Sequence, residues 1–285
     1  MRFYGNVQYA LESIALKQIT FLHIDKLNDP FDPYYNLETE DYQDIINYVQ
    51  QHHANNLIDF KQTLPKENWE RAVKQIKEHL DWSSNNTFIF STIEIDEDKN
   101  PKDNLYMWSH YGNGHRGAAI EFYTTLLAKA ILEQKKKHDG TMKDINEVWS
   151  KIDYKKEPPK ITCEQIVHYV MDWDKTKLED VLDQRFSSKS VVWETEQEWR
   201  LMWRNDETRL KILKLDLTDD TISAVYLGCR IADNIKDDFI FETKRHFPKA
   251  EIFKAVKAKG KFALDFERIA LPANANLTEN GKRAC

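Results

Sequence analysis

The chain has 285 residues, 41% of them hydrophobic and 31% charged, enough apolar material for one substantial core or two small ones. Its 41 basic and 47 acidic side chains leave a formal charge of −6. That balance argues against chain-wide affinity for nucleic acid or an anionic membrane, while leaving room for a local basic patch.

Cys163, Cys229 and Cys285 are odd in number, far apart and without CxxC spacing. They read as reduced thiols in a cytoplasmic protein, not as a disulfide frame or a zinc site. The start, Met1 to Asn6, has no apolar h-region, so no signal peptide is expected. No apolar run approaches the roughly 20 residues of a membrane helix.

Arg2 to Gly5 predicts a short first strand, and Asn6 the N-cap of a helix through Tyr9, Leu11, Ile14 and Leu16. Ile19 to Ile24 reads as a strand that runs into Leu27-Asn28-Asp29-Pro30-Phe31-Asp32-Pro33. Asx side chains and prolines are turn chemistry, and the aromatic within the turn predicts a loop folded back on the core. Tyr42, Ile45, Ile46 and Val49 have helical spacing. Pro65 suits the first turn of another helix, with Trp69, Val73, Ile76 and Leu80 on one face. Both are polar elsewhere, which predicts a peripheral helical insertion over about residues 39–82. His52 and His53 are adjacent and so diverge around a helix, which makes them weak metal ligands.

Thr87 to Ile93 is a strand ending in the hydroxyls of Ser91 and Thr92, followed by an acidic loop from Glu94 to Lys102. Leu105 to Gly112 predicts one or two helical turns dense in aromatics, including Tyr106, Trp108 and Tyr111. Gly112, Gly114 and Gly117 bracket His115 and Arg116 at a spacing that is neither a dinucleotide fingerprint nor a P-loop. His110 and His115 have no carboxylate at a recognised ligand spacing, so no metal is expected. Gly117 to Phe122 predicts a strand, Thr124 to Lys137 a helix, Val148 to Tyr154 a strand, and Thr162 to Gln184 a long helix.

Val191 to Arg204 alternates with a period of two and is predicted as one strand. One face would carry Glu194, Glu196, Glu198 and Arg200, roughly 7 Å apart along the strand, with Trp193, Trp199 and Trp203 behind. Acidic residues are poor strand formers. The ridge is therefore either a solvated outer face or a site that holds carboxylates on a rigid element. Beyond it, Leu210 to Leu217 and Ala224 to Leu227 read as strands and Ala232 to Phe247 as a helix. Glu251 to Val256 and Phe262 to Ile269 read as a hairpin turning at Lys259-Gly260. The expected architecture is α+β: a single domain over residues 1–270 with a mixed, mostly antiparallel central sheet and the helical insertion. Residues 271–285 form a disordered tail.

Four pieces taken together carry a resemblance. They are Asn28-Asp29-Pro30-Phe31-Asp32; Phe90-Ser91 with Met107-Trp108-Ser109-His110-Tyr111-Gly112, Gly117 and Ile120-Glu121-Phe122; Lys189 with Trp193-x-x-Glu196-x-Glu198-Trp199-Arg200; and Val225-Tyr226-Leu227-Gly228. In this order, over roughly Tyr4 to Phe266, the chain resembles the bacterial domain of unknown function 2971 family. That resemblance implies an accessory, phage-defence or toxin-type role and no defined chemistry.

The Glu-x-Glu also resembles the third motif of ADP-ribosyltransferases, which implies NAD as a substrate and a fold like theirs. By that resemblance Glu198 is the catalytic carboxylate at the ribose and Glu196 the group facing an unknown acceptor. Ser91 and Thr92 match the bracing Ser-Thr element, although Ile93 replaces its final serine. Arg2 or Tyr4 grips NAD, and Trp108 and Tyr111 offer stacking faces. Two other classes stay open. One is a non-catalytic or antitoxin-like module that binds a protein partner. The other is a metal-dependent nuclease, in which Arg200 is a poor substitute for the expected lysine.

Overall fold

A computed structural model describes residues 1–95, 103–139, 149–171, 183–204 and 212–270. Along the chain run β1 (Arg2–Tyr4), α1 (Val7–Ala15), β2 (Gln18–His23), β3 (Asn36–Leu37), α2 (Tyr42–His52), α3 (Leu57–Thr63), α4 (Lys66–Asn85) and β4 (Thr87–Ile93). Then come α5 (Leu105–His110), β5 (Ala118–Phe122), α6 (Thr124–Asp139), β6 (Trp149–Lys151), β7 (Asp153–Lys155), β8 (Lys160–Ile161) and α7 (Cys163–Val170). The rest are β9 (Ser188–Ser190), β10 (Glu198–Arg204), β11 (Ile212–Asp216), β12 (Ile222–Leu227), α8 (Asp233–His246), β13 (Glu251–Lys257) and β14 (Leu264–Arg268).

The fold is α+β with mixed, mostly antiparallel pairing. One five-stranded sheet has the order β1-β5-β12-β13-β14, in which only β12 and β13 run parallel. The other, β11-β2-β4-β10-β6, is antiparallel throughout. The two meet where Met1 and Ile93 exchange backbone hydrogen bonds of 2.7 Å. This junction sets the first strand beside the Ser91-Thr92 strand and, through it, beside the glutamates.

Local chemistry explains the elements. The Asn6 side chain accepts from Gln8 N and caps α1. In β2 burial alternates residue by residue, whereas Thr87 to Phe90 at the start of β4 are all buried. The central strand is thus covered on both faces. Ile14, Phe21, Phe90, Ile120, Leu201 and Phe239 belong to one apolar core. A second cluster joins α2, α3 and α4 through Val49, Phe60, Trp69, Val73, Ile76 and Leu80. Ile166 and Val167 of α7, far downstream, pack into that cluster too.

Four expectations need correction. Val191 to Arg204 is not one strand. Val191–Glu196 forms a 3₁₀ turn, Gln197 takes φ 50°, and the strand begins only at Glu198. Glu194 is therefore exposed, while Glu196 turns inward. Val148 to Tyr154 divides at the buried Ile152 into β6, which pairs with β10, and β7, which pairs with β9. Of the helix expected over Thr162 to Gln184, Cys163–Val170 is helical with Met171 as its cap; residues 172–182 lie outside the described set, and residues 183 and 184 are again helical. Phe31 does not fold back on the core but is 67% exposed, and Asp32 is the turn residue that is buried. The expected tail, 271–285, also lies outside the described residues.

Candidate functional site

The strand β10 places Glu198 and Arg200 on one face, with Ser91 of β4 directly opposite Arg200. The 3₁₀ turn before it delivers Glu196, β9 delivers Lys189, and the turn after β2 delivers Asp32. Each of these five ionisable residues is 6% exposed or less. Burial of this kind is tolerable only if the charges are paired and hydrogen-bonded.

They are paired throughout. Arg200 Nε donates to Glu198 Oε1 at 2.8 Å, and Nη2 donates to Glu198 Oε2 at 3.1 Å. Nη1 donates to Asp32 Oδ1 at 2.7 Å and to the Phe186 carbonyl at 2.9 Å, while Nη2 also bonds Asp32 Oδ2. All five guanidinium N–H donors are thereby used. Lys189 Nζ bridges the glutamates, 2.6 Å from Glu196 Oε2 and 3.1 Å from Glu198 Oε2. Tyr111 Oη donates to Glu196 Oε1 and accepts from Asn28 Nδ2 at 3.0 Å. The Glu198 backbone N–H donates to Tyr154 Oη at 2.8 Å.

The titration behaviour follows from these contacts. Burial alone would raise the Glu198 carboxyl, but the charge and hydrogen bonds of Arg200, with Lys189 and the Ser91 hydroxyl, bring it down to about 2. Burial would lower Lys189, yet Glu198 and Glu196 hold it above its ordinary value. Burial and the bond to Glu196 push the Tyr111 phenol up, so it stays a donor. Burial pushes Asp32 above the usual range despite its bonds to Arg200.

An acid-stability prediction follows. The folded pKa of Glu198 is depressed, so its stabilisation is present above the unfolded carboxyl range of roughly 4.3 and fades as pH falls toward 2. Asp32 runs the other way and softens the slope. Urea unfolding measured across this window should show stability falling with pH, and Glu198→Gln should flatten that fall. An unchanged slope in the variant would show that Glu198 is not the group responsible.

Of the residues predicted for a site, Arg2, Ser91, Thr92, Tyr111, Glu196 and Glu198 line one cavity of about 250 Å³. Tyr4 and Trp108 do not line it. Trp108 is fully buried, edge-on to Phe3 at 5.0 Å, and Tyr4 packs against the main core. Arg2 lines the wall differently from the paired cations. Its Nη1 donates to the Ser91 carbonyl at 3.1 Å and its guanidinium lies 4.4 Å from the Phe90 ring. Among the described residues no carboxylate lies within 4 Å of it. Asp32 and Asn28 are site residues that the sequence placed in a turn and in one of the motif pieces, with no role in a site. Lys189 was visible only as part of a motif, although two glutamates facing one arginine imply a further cation.

Four of the five buried ionisable residues of this cluster fall in one stretch of sequence. Residues 107–201 match the family model described as protein of unknown function (DUF2971). This stretch is similar to the DUF2971 family. It runs from α5 through the glycine-rich loop to β10 and so includes Tyr111, Lys189, Glu196, Glu198 and Arg200. Arg2, Asp32, Ser91 and the Val225–Gly228 motif lie outside it, so the DUF2971 match spans about a third of the chain, less than the motifs suggested. No curated protein and no solved structure matches the chain. No helix among the described residues is long and apolar enough to cross a membrane.

Proposed function

We propose that this cavity is the catalytic site of an ADP-ribosyltransferase-type enzyme that uses NAD as its sugar donor. The observation that supports the reading is convergence. Arg2 on β1, Ser91 and Thr92 on β4, and the Glu196–Glu198 pair come from three separate parts of the chain and line one cavity. Arg2, with no carboxylate within 4 Å among the described residues, is available to the anionic part of the donor. At about 250 Å³ the cavity is just below the usual range of ligand sites, so it takes one end of the dinucleotide.

The chemistry asks for a fixed carboxylate. The C1–N bond of the ribose breaks with its electron pair leaving on nicotinamide, and positive charge develops on the sugar. An acceptor nucleophile then bonds to C1 and passes its proton to Glu196. Glu198 is ionised and rigidly held, so it steadies the cationic sugar; Glu196 lies on the acceptor side. Arg200 is committed to five acceptors, whereas Lys189 divides one ammonium between two glutamates. A ribose hydroxyl entering the site therefore displaces a Lys189 contact more readily than an Arg200 contact.

Titrating NAD into the purified chain should raise its melting temperature, and free nicotinamide should appear when candidate acceptors are added. Arg2→Gln should weaken NAD binding by about tenfold, the loss of one charge-assisted bond. A chain that neither binds NAD nor releases nicotinamide removes this reading. It would leave a non-catalytic binding module, which one observation favours: each glutamate already has its cation. A magnesium nuclease fits less well, because Lys189 and Arg200 occupy the carboxylate oxygens a metal needs.

A further inference from the structure

A second cleft, lined by none of the residues of the carboxylate cavity, has arginines and no carboxylates among its described lining residues. Its volume is about 790 Å³, and it is bordered by His110, Asn113, Arg116, Arg230 and the starts of α1 and α8. No carboxylate is among the described residues that line it, although the chain as a whole carries 47 acids and a charge of −6. Arg116 and Arg230 are both exposed, and neither guanidinium has an ion-pair or hydrogen-bond partner among the described residues.

The backbone holds the two arginines in place. Arg230 N donates to the His115 carbonyl at 2.9 Å, Gly228 N to the Gly117 carbonyl at 3.0 Å, and Gly117 N to the Gly112 carbonyl at 2.8 Å. A side chain at Gly228 would meet the His115 carbonyl oxygen at 2.3 Å, and one at Gly117 would meet that of Tyr4 at 2.2 Å. Glycine is therefore what lets the Arg116 loop and the Arg230 turn approach so closely. Ala232, the N-cap of α8, offers no side-chain acceptor to that helix's first turn, so its N–H groups add to the positive field. Asp233, the nearest acid in sequence, is engaged by Lys236 at 3.0 Å.

We propose that this cleft binds the phosphate groups of a small phosphorylated ligand of the nucleotide diphosphate class, with Arg116 and Arg230 as the paired guanidinium contacts. Two forked donors lining one cleft with no carboxylate among the described lining residues suit adjacent phosphates, and the volume of the cleft lies within the range of small-molecule sites. The assignment does not depend on the NAD reading, because it uses none of the cavity residues of that site.

The test is calorimetric titration of the full chain with inorganic pyrophosphate and with ADP, at low and moderate salt. Wild type should bind both, more weakly as salt rises. Arg116→Gln combined with Arg230→Gln should lower affinity about tenfold or more with an unchanged melting temperature, because both side chains are exposed. Glu198→Gln should bind as wild type does. Absence of pyrophosphate and ADP binding, or undiminished binding in the double arginine variant, overturns the proposal. Binding lost in Glu198→Gln but kept in the arginine variant would place the anion in the carboxylate cavity, and also overturns it.

Discussion

Replacing Arg200 by Ala should cost about 3–5 kcal/mol of stability, with a melting temperature lower by roughly 10 °C. The side chain is 1% exposed and uses every donor it has on Asp32, Glu198 and the Phe186 carbonyl. Truncation leaves three buried carboxylates, Asp32, Glu196 and Glu198, with Lys189 in contact with the two glutamates alone, so Asp32 loses its ion-pair partner and the desolvation costs stand largely uncompensated. Arg200→Lys should recover little, since a single ammonium cannot span the forked acceptors. The origin of the loss can be separated from simple cavity formation. Adding Asp32→Asn and Glu198→Gln to Arg200→Met removes the stranded charges and fills much of the space, so part of the lost stability should return. Denaturant unfolding of the four proteins measures this. An Arg200→Ala protein within about 1 kcal/mol of wild type would mean that the network is open to water in solution.

That network also shows where sequence reading stops. The Trp69, Val73, Ile76 and Leu80 stripe, the Asn6 cap, the β4 strand and the β13–β14 hairpin were legible because each is a local pattern with its own period or cap. The ridge of carboxylates was only half legible. Its residues alternate as a strand should, but Gln197 at φ 50° interrupts the pleat, and nothing in a period-two pattern marks that interruption. The turn is what brings Glu196 to the same lysine as Glu198, a contact that an ideal strand would also place on one face but with a different backbone. Asp32 was not legible as a site residue because its partner is distant in sequence, and long-range pairing leaves no periodic trace. For Tyr4 and Trp108, aromatic content identified the neighbourhood, but it did not tell which faces were filled by core packing. The cavity wall is instead made by Arg2, the neighbour of Phe3, and by Tyr111, one turn from Trp108.

Glu198→Gln should lower nicotinamide release by about 10²–10³-fold, the usual scale for removing one preorganised electrostatic contact from a transition state. Glutamine keeps the side chain's shape and can still accept from Arg200 and Lys189, so the protein should remain folded, with a lower melting temperature from two cations facing one fewer charge. NAD binding should change much less than turnover, because the positive charge on the sugar develops only as the glycosidic bond breaks. Glu196→Gln should behave differently. If Glu196 prepares the acceptor, that variant keeps hydrolysis of NAD by water and loses transfer. Release of nicotinamide, formation of the modified acceptor and NAD affinity, each corrected for the folded fraction, distinguish the two glutamates. Release by Glu198→Gln within about threefold of wild type would assign the carboxylate to the fold alone. The buried ion cluster would then be a structural latch beneath a binding cavity, and the chemistry proposed for it would have no carboxylate to perform it.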